Sequence, residues 1–232
     1  MHLGVAAHRA PRQSALWPTG LDGPPLQTLI ALTQGAPAAA LILAVIVVVG
    51  LVGLFANQRL IERSLFRPYW LVRRSEYPTL VTSAFVHADL AHLFFNGFTF
   101  WAFAFTLERT IGSASFLLLY FFGLLESDAG TYFKHRRDPA YATLGASGAI
   151  LAVLFASIVY FPTASIFILP LPVPIPAPLF AVAYLAYTWW ASRSMRGRVN
   201  HDAHFSGAIA GLVFVALMEP AIFRRAIDTV FG

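Results

Sequence analysis

Apolar residues in this chain come in long, nearly unbroken runs separated by short polar gaps, the pattern of a polypeptide solvated by lipid. A helix needs roughly 20 mostly apolar residues to cross the hydrocarbon core. The clearest run is Pro37–Phe55, which carries no charge and whose only proline stands at the first turn, where proline is tolerated. Further runs follow at Ala91–Leu107, Phe116–Phe133, Ser147–Phe161, Leu179–Ala191 and Ala203–Met218. This predicts an all-α membrane protein, a six-transmembrane-helix bundle over residues 37–220. Residues 1–36 read as a polar N-terminal tail with a short interfacial helix near Leu26–Leu32, and 221–232 as a short C-terminal tail. Arg9, Arg12, Pro18, Pro24 and Pro25 break up the apolar core a signal peptide would need.

The gaps differ in kind. The long loop 57–90 intersperses Phe66, Tyr69 and Trp70 with Arg67, Arg73 and Arg74. Aromatic and basic residues together favour the headgroup layer, so part of this loop is expected in the interface. Between the fourth and fifth runs, Pro170, Pro172, Pro174, Pro176 and Pro178 alternate with apolar residues. Each proline drives its predecessor out of the helical region, which predicts an extended, rigid connector.

Composition narrows the classes further. Of 232 residues, 58% are hydrophobic and only 12% charged, about half the charge of a soluble domain. The net charge of +5 lies on arginines in gaps between apolar runs, which suits acidic lipid headgroups and not nucleic acid. Without cysteine there is no disulfide, thiolate metal site or cysteine nucleophile.

Parity brings the chemistry together. Consecutive spans alternate direction, so the second, fourth and sixth start on one side of the membrane. Those starts carry His92 and Asn96, then Ser147, then His204. Each lies within the first one or two turns, at most ~8 Å deep at 1.5 Å per residue. Polar groups in a bilayer are costly unless paired or hydrated, so their convergence marks a candidate site. His92 and Asn96, four apart, share a helix face. Ser147 enters its helix from Gly145-Ala146, where unpaired backbone N–H groups suit a developing oxyanion. Gly207 and Gly211 follow His204 on the same face, and Gly148, Ala152 and Ala156 form a matching stripe. Packing these two smooth faces would carry His204 to Ser147.

These residues resemble the rhomboid protease pattern: G-x-S-G at Gly145–Gly148, H-x-x-x-N at His92–Asn96, a histidine followed by G-x-x-x-G at His204–Gly211, and Glu108-Arg109-Thr110-Ile111-Gly112 after the second span. The resemblance covers about Pro37 to Met218. It implies a rhomboid-like bundle and a Ser–His dyad, with Ser147 as nucleophile and His204 as general base. It also implies an oxyanion hole from His92, Asn96 and the Ser147 backbone N–H. The substrates would be transmembrane segments of membrane proteins, with lipid as the other partner and no cofactor or metal. His87 resembles a supporting residue of the family. The fifth helix, with Tyr184, Tyr187, Trp189 and Trp190, would be a lateral gate. A bacterial inner membrane is the expected location.

Plainer readings compete. G-x-S-G alone is usually small-residue packing, and the G-x-x-x-G is read as structural. His201 is a rival base, nearer the polar loop and further from the glycine seam than His204. His87 and His135 read as loop residues. Glu126 and Asp128 fall inside the third run, where carboxylates are costly. They call for a hydrated cavity, an earlier helix end, or a metal shared with His201 or His135. A catalytically silent relative that binds transmembrane helices is the alternative function. A transporter fits poorly, since its polar site would lie near mid-membrane. The family arrangement puts both termini in the cytoplasm. The charge bias points the other way. Arg59, Arg63, Arg67, Arg73, Arg74, Lys134, Arg136, Arg137, Arg193, Arg196 and Arg198 lie on the active-site side, against Arg9, Arg12, Arg109, Arg224 and Arg225 opposite. The family orientation is the one adopted.

Overall fold

A computed structural model describes residues 33–168, 171–194 and 199–232. The expected helix near Leu26–Leu32 lies outside the described residues. The elements are α1 (Pro37–Leu51), continued by a π-turn over Val52–Ala56, then α2 (Gln58–Ser64), α3 (Pro68–Arg73) and α4 (Thr79–Thr82) in the long loop. They are followed by α5 (Leu90–Ile111), α6 (Ser113–His135) and α7 (Ser147–Tyr160). A hairpin of β1 (Ser165–Ile168) and β2 (Leu171–Pro176) leads to α8 (Ala177–Ser194), α9 (His201–Met218) and α10 (Pro220–Phe231). The continuous helix Pro37–Ala56, α5 and α9 are each long and apolar enough to cross a membrane. They pack with α6, α7 and α8, an arrangement consistent with the expected six-helix bundle.

The helix α7 is its axis. Every residue from Gly148 to Val159 is buried, with α5, α6, α8 and α9 packed around it. Fourteen residues span about 21 Å, well short of the ~30 Å hydrocarbon core. This helix is shorter than its neighbours Leu90–Ile111, Ser113–His135 and His201–Met218.

The small-residue seam forms as its spacing predicts. A Cβ on Gly207 would overlap the Gly148 carbonyl, and one on Gly211 would overlap that of Ala152. On the other flank of α7, a Cβ on Gly123 of α6 would collide with the Ala152 methyl. These helices touch backbone to backbone, which only glycine and alanine allow.

Glu108 shows why the Glu-Arg-Thr-Ile-Gly segment matters locally. Its side chain is fully buried, and its two oxygens accept from the backbone N–H groups of Ala38 (3.0 Å) and Ala39 (2.6 Å) and from Ser113 Oγ (2.6 Å). A carboxylate thus caps α1 from 70 residues away and satisfies donors that have no helical partner. Gly112, at φ +80°, makes the sharp joint between α5 and α6.

Several expectations are refined. The proline-rich connector is extended, and it also pairs as an antiparallel hairpin with Ser165 opposite Pro176. The long loop does more than carry aromatic and basic side chains. Its fully buried Phe66 exchanges both backbone hydrogen bonds with Thr143 (2.9 and 3.0 Å), bracing the segment that leads to Ser147. Arg73 and Arg74 stack over Tyr69 and Trp70 in the same loop. The third helix does not end before its carboxylates, since α6 runs unbroken to His135, with Glu126 exposed and Asp128 buried. The C-terminal tail is a helix, α10, with Ile222, Phe223 and Ala226 packed on the core and Ile227, Val230 and Phe231 exposed.

Candidate active site

Three helix starts meet at one end of the bundle, as parity predicts. Ser147 is the first residue of α7, and no side chain caps the helix there, so its leading N–H groups remain available. Gly145 approaches at φ +108°, a backbone conformation that side chains disfavour. A Cβ at Gly145 would come 2.6 Å from His92 Cε1, 2.7 Å from His92 Nε2 and 3.5 Å from Asn96 Nδ2. Glycine there lets the α5 pair lie directly against the turn that enters α7. Asp89 caps α5 by accepting from the His92 N–H at 2.8 Å, which fixes the helix start just before these two residues.

His204, on the first turn of α9, places Nε2 2.9 Å from Ser147 Oγ. The hydroxyl and the imidazole come from helices 57 positions apart in sequence and are joined by the glycine seam below them. Both residues are half-buried. The rival base, His201, is the first residue of α9, one turn before His204, and is buried. Its ring sits 6.1 Å from that of His204 and edge-on to Tyr187, and its Nδ1 has no partner among the described residues.

Asn96 is buried, and its Nδ2 has no hydrogen-bond partner among the described residues. A buried amide donor left unpartnered next to Gly145 is costly. His87 is fully buried behind His92, with ring centroids 5.0 Å apart. Burial, and after it the charge His92 would carry, push the His87 imidazole down to about 4. It is therefore neutral at pH 7 and acts as packing behind His92, in the loop position expected of it.

Three features of the site had no counterpart in the expectations. Tyr184 Oη of α8 lies 3.2 Å from His204 Nδ1, on the far side of the ring from Ser147. Asn200 caps α9 by accepting from the Ala203 N–H at 3.0 Å, and its Nδ2 donates to Thr131 Oγ1 (3.0 Å) and Thr143 Oγ1 (3.2 Å). Asp202 takes Lys134 Nζ at 2.7 Å and His135 Nε2 at 3.0 Å, and Lys134 also donates to the Ser192 carbonyl at the end of α8. His135 thus belongs to a cluster tying α6, α8 and α9 together two residues before His204. Asn before a helical run is a readable cap signal. The other two join distant segments and leave no local period. Among the described residues no three His, Asp or Glu side chains gather as a metal would require. Asp128 remains buried with Oδ2 unpartnered among the described residues, and the structure offers no account of it.

Comparison with known proteins bears on the family of the chain. Residues 74–220, more than half of the chain, match the model of the Rhomboid domain. The chain is 39% identical over 82 residues to "Putative rhomboid protease YdcA" of Bacillus subtilis, covering 35% of this chain and 40% of that protein. It is 30% identical over 148 residues to "Presenilin-associated rhomboid-like protein A, mitochondrial" of Danio rerio, covering 63% and 39%. It is 29% identical over 175 residues to "Rhomboid protein 1, mitochondrial" of Saccharomyces cerevisiae, covering 69% and 48%. The chain spans less than half the length of these curated relatives. Mitochondrial relatives stand beside bacterial ones, so similarity does not single out the bacterial inner membrane expected above. This multi-pass membrane protein belongs to the rhomboid family.

Proposed function

We propose that this chain is an intramembrane serine endopeptidase that cleaves transmembrane segments of membrane proteins with a Ser147–His204 dyad. The observation that carries the reading is the 2.9 Å approach of His204 Nε2 to Ser147 Oγ, with an unpartnered amide donor of Asn96 beside Gly145.

The chemistry follows from the geometry. His204 Nε2 takes the hydroxyl proton as Ser147 Oγ attacks a peptide carbonyl. Negative charge builds on the carbonyl oxygen. The Ser147 backbone N–H, Asn96 Nδ2 and His92 are assigned as the donors around it, since donors oriented before the reaction cost no reorganisation. Collapse of the tetrahedral intermediate breaks the C–N bond, and His204 returns its proton to the leaving amine. A water then attacks the acyl-enzyme as His204 takes its proton; the acyl C–Oγ bond breaks, His204 returns the proton to Ser147 Oγ, and the carboxylate product leaves. An intact substrate helix shields its carbonyls, so residues of low helix propensity near the cut lower the cost of exposing one. The natural location is a membrane from which α8 admits such a segment sideways.

The test is cleavage of a transmembrane reporter reconstituted with the purified protein in lipid. Ser147→Ala and His204→Ala should each reduce cleavage to background while the variants stay folded. Cleavage that persists in both variants would defeat the reading.

A further inference from the structure

We infer that Tyr184 on α8 is a positioning residue that holds His204 in the tautomer and orientation required to accept the Ser147 proton. The inference rests on the proposed dyad and concerns how its base is kept in order.

The geometry is a relay with the imidazole in the middle. Ser147 Oγ lies 2.9 Å from Nε2, and Tyr184 Oη lies 3.2 Å from Nδ1. A neutral imidazole carries one N–H. For Nε2 to receive the serine proton it must be bare, so the N–H belongs on Nδ1, where it donates to Tyr184 Oη. In the reverse arrangement the phenol donates to Nδ1 and Nε2–H donates to Ser147 Oγ, and the base is already occupied. The state of the Tyr184 contact is therefore coupled to whether the dyad can react. In a dyad no carboxylate performs this orientation, and the residues named in the expected pattern leave Nδ1 unassigned.

The phenol is held independently of His204. Its ring stacks on Phe180 of the same helix, with centroids 5.4 Å apart, and packs on Phe155 of α7 at 5.8 Å. One turn further along, Tyr187 faces His201 edge-on at 5.6 Å, so α8 and α9 run antiparallel with tyrosine against histidine at two successive levels. Thr188 Oγ1 donates to the Tyr184 carbonyl at 2.9 Å, and Lys134 ties the Ser192 carbonyl to Asp202 of α9. The Lys134 link and the Tyr187–His201 contact hold the register in which Tyr184 meets His204. The phenolic oxygen is a neutral acceptor, so it orients the ring without burying an extra charge beside it.

Tyr184→Phe tests this, because it deletes one oxygen and keeps the ring that packs on Phe155 and Phe180. In reconstituted lipid with a transmembrane reporter, kcat should fall about tenfold, the rate equivalent of one neutral hydrogen bond, with KM within about twofold. A second measurement follows the histidine ring nitrogens by 15N NMR, with the His204 signals assigned by their loss in His204→Ala. The wild type should carry its proton on Nδ1, and Tyr184→Phe should move population to Nε2–H. An unchanged tautomer, or a change confined to KM, would overturn the inference. If the wild type cleaves nothing, the protease reading fails, while the tautomer measurement still decides the role of Tyr184.

Discussion

Two neighbours of the central helix hold it in opposite ways. The helix α9 meets α7 along a seam of bare backbone, Gly207 on Gly148 and Gly211 on Ala152, with no room for a methyl group. The helix α8 meets α7 through a few aromatic side chains, chiefly Phe180 and Tyr184 against Phe155, while Leu179, Val182, Tyr187, Trp189 and Trp190 lie largely exposed. Ser147 and His204, the proposed nucleophile and base, therefore sit on the tight contact, 2.9 Å apart across main-chain packing. The group that orients the base sits on the loose one. Close packing resists small displacements, so the reacting pair is held by main-chain contact and the third group by side-chain contacts, Tyr184 on Phe155 and Lys134 on Asp202.

That contrast can be broken from either side. The largest expected effect is on the seam. Gly207→Val drives side-chain atoms into the Gly148 carbonyl and should cost about 3 kcal/mol or more, read as lost thermal stability with loss of cleavage. Unaltered stability would mean that α7 and α9 are not locked together. Next is the oxyanion side. Asn96→Ala should lower kcat by about 10²-fold with little change in KM, because the amide acts on charge that develops only in the transition state. A pure KM effect would place Asn96 in substrate binding instead.

A smaller effect is expected behind the site. His87 is held at about 4 by burial, below its ordinary 6.5, so the native state binds fewer protons than the unfolded chain between those values. Its contribution is whole above pH 6.5 and is lost as pH falls toward 4, by up to about 3 kcal/mol. Replacing it with Gln should flatten that acid-side loss in melts taken across the window. Equal slopes in both proteins would show that other groups govern acid stability. The smallest effect belongs to the loose helix. Lys134 is two-fifths exposed, so Lys134→Met should cost less than about 1 kcal/mol. It should still raise the mobility of a spin label near Ser194, because it frees the Ser192 carbonyl and Asp202. An unmoved label would mean that this end of α8 is fixed by other contacts.

Much of the tight contact was readable from the sequence, and little of the loose one. Small residues at fixed helical spacing must face something close, so Gly148, Ala152, Gly207 and Gly211 announced their partners. Parity alone brought His92, Asn96, Ser147 and His204 to one side. The hairpin was legible as extended chain but not as a pair, because alternating prolines specify conformation without naming a partner. Tyr184 reads as one aromatic among several in an apolar helix, and its hydroxyl gains meaning only from the rotation of α8 against α9. The Asp202–Lys134–His135 cluster and the Phe66–Thr143 bridge link segments 67 to 77 residues apart, with no period to betray them. Asn200 was the exception, since an asparagine before an apolar helical run is a cap in its own right.

The central claim is that His204 activates Ser147 across the seam. A fluorophosphonate probe, which reacts only with an activated serine, tests it most directly and needs no knowledge of the substrate. Labelling at Ser147 in the wild type, lost in His204→Ala and retained in His201→Ala, is the predicted result. A hydroxyl that labels equally well without His204, or never labels in the folded protein, would contradict it.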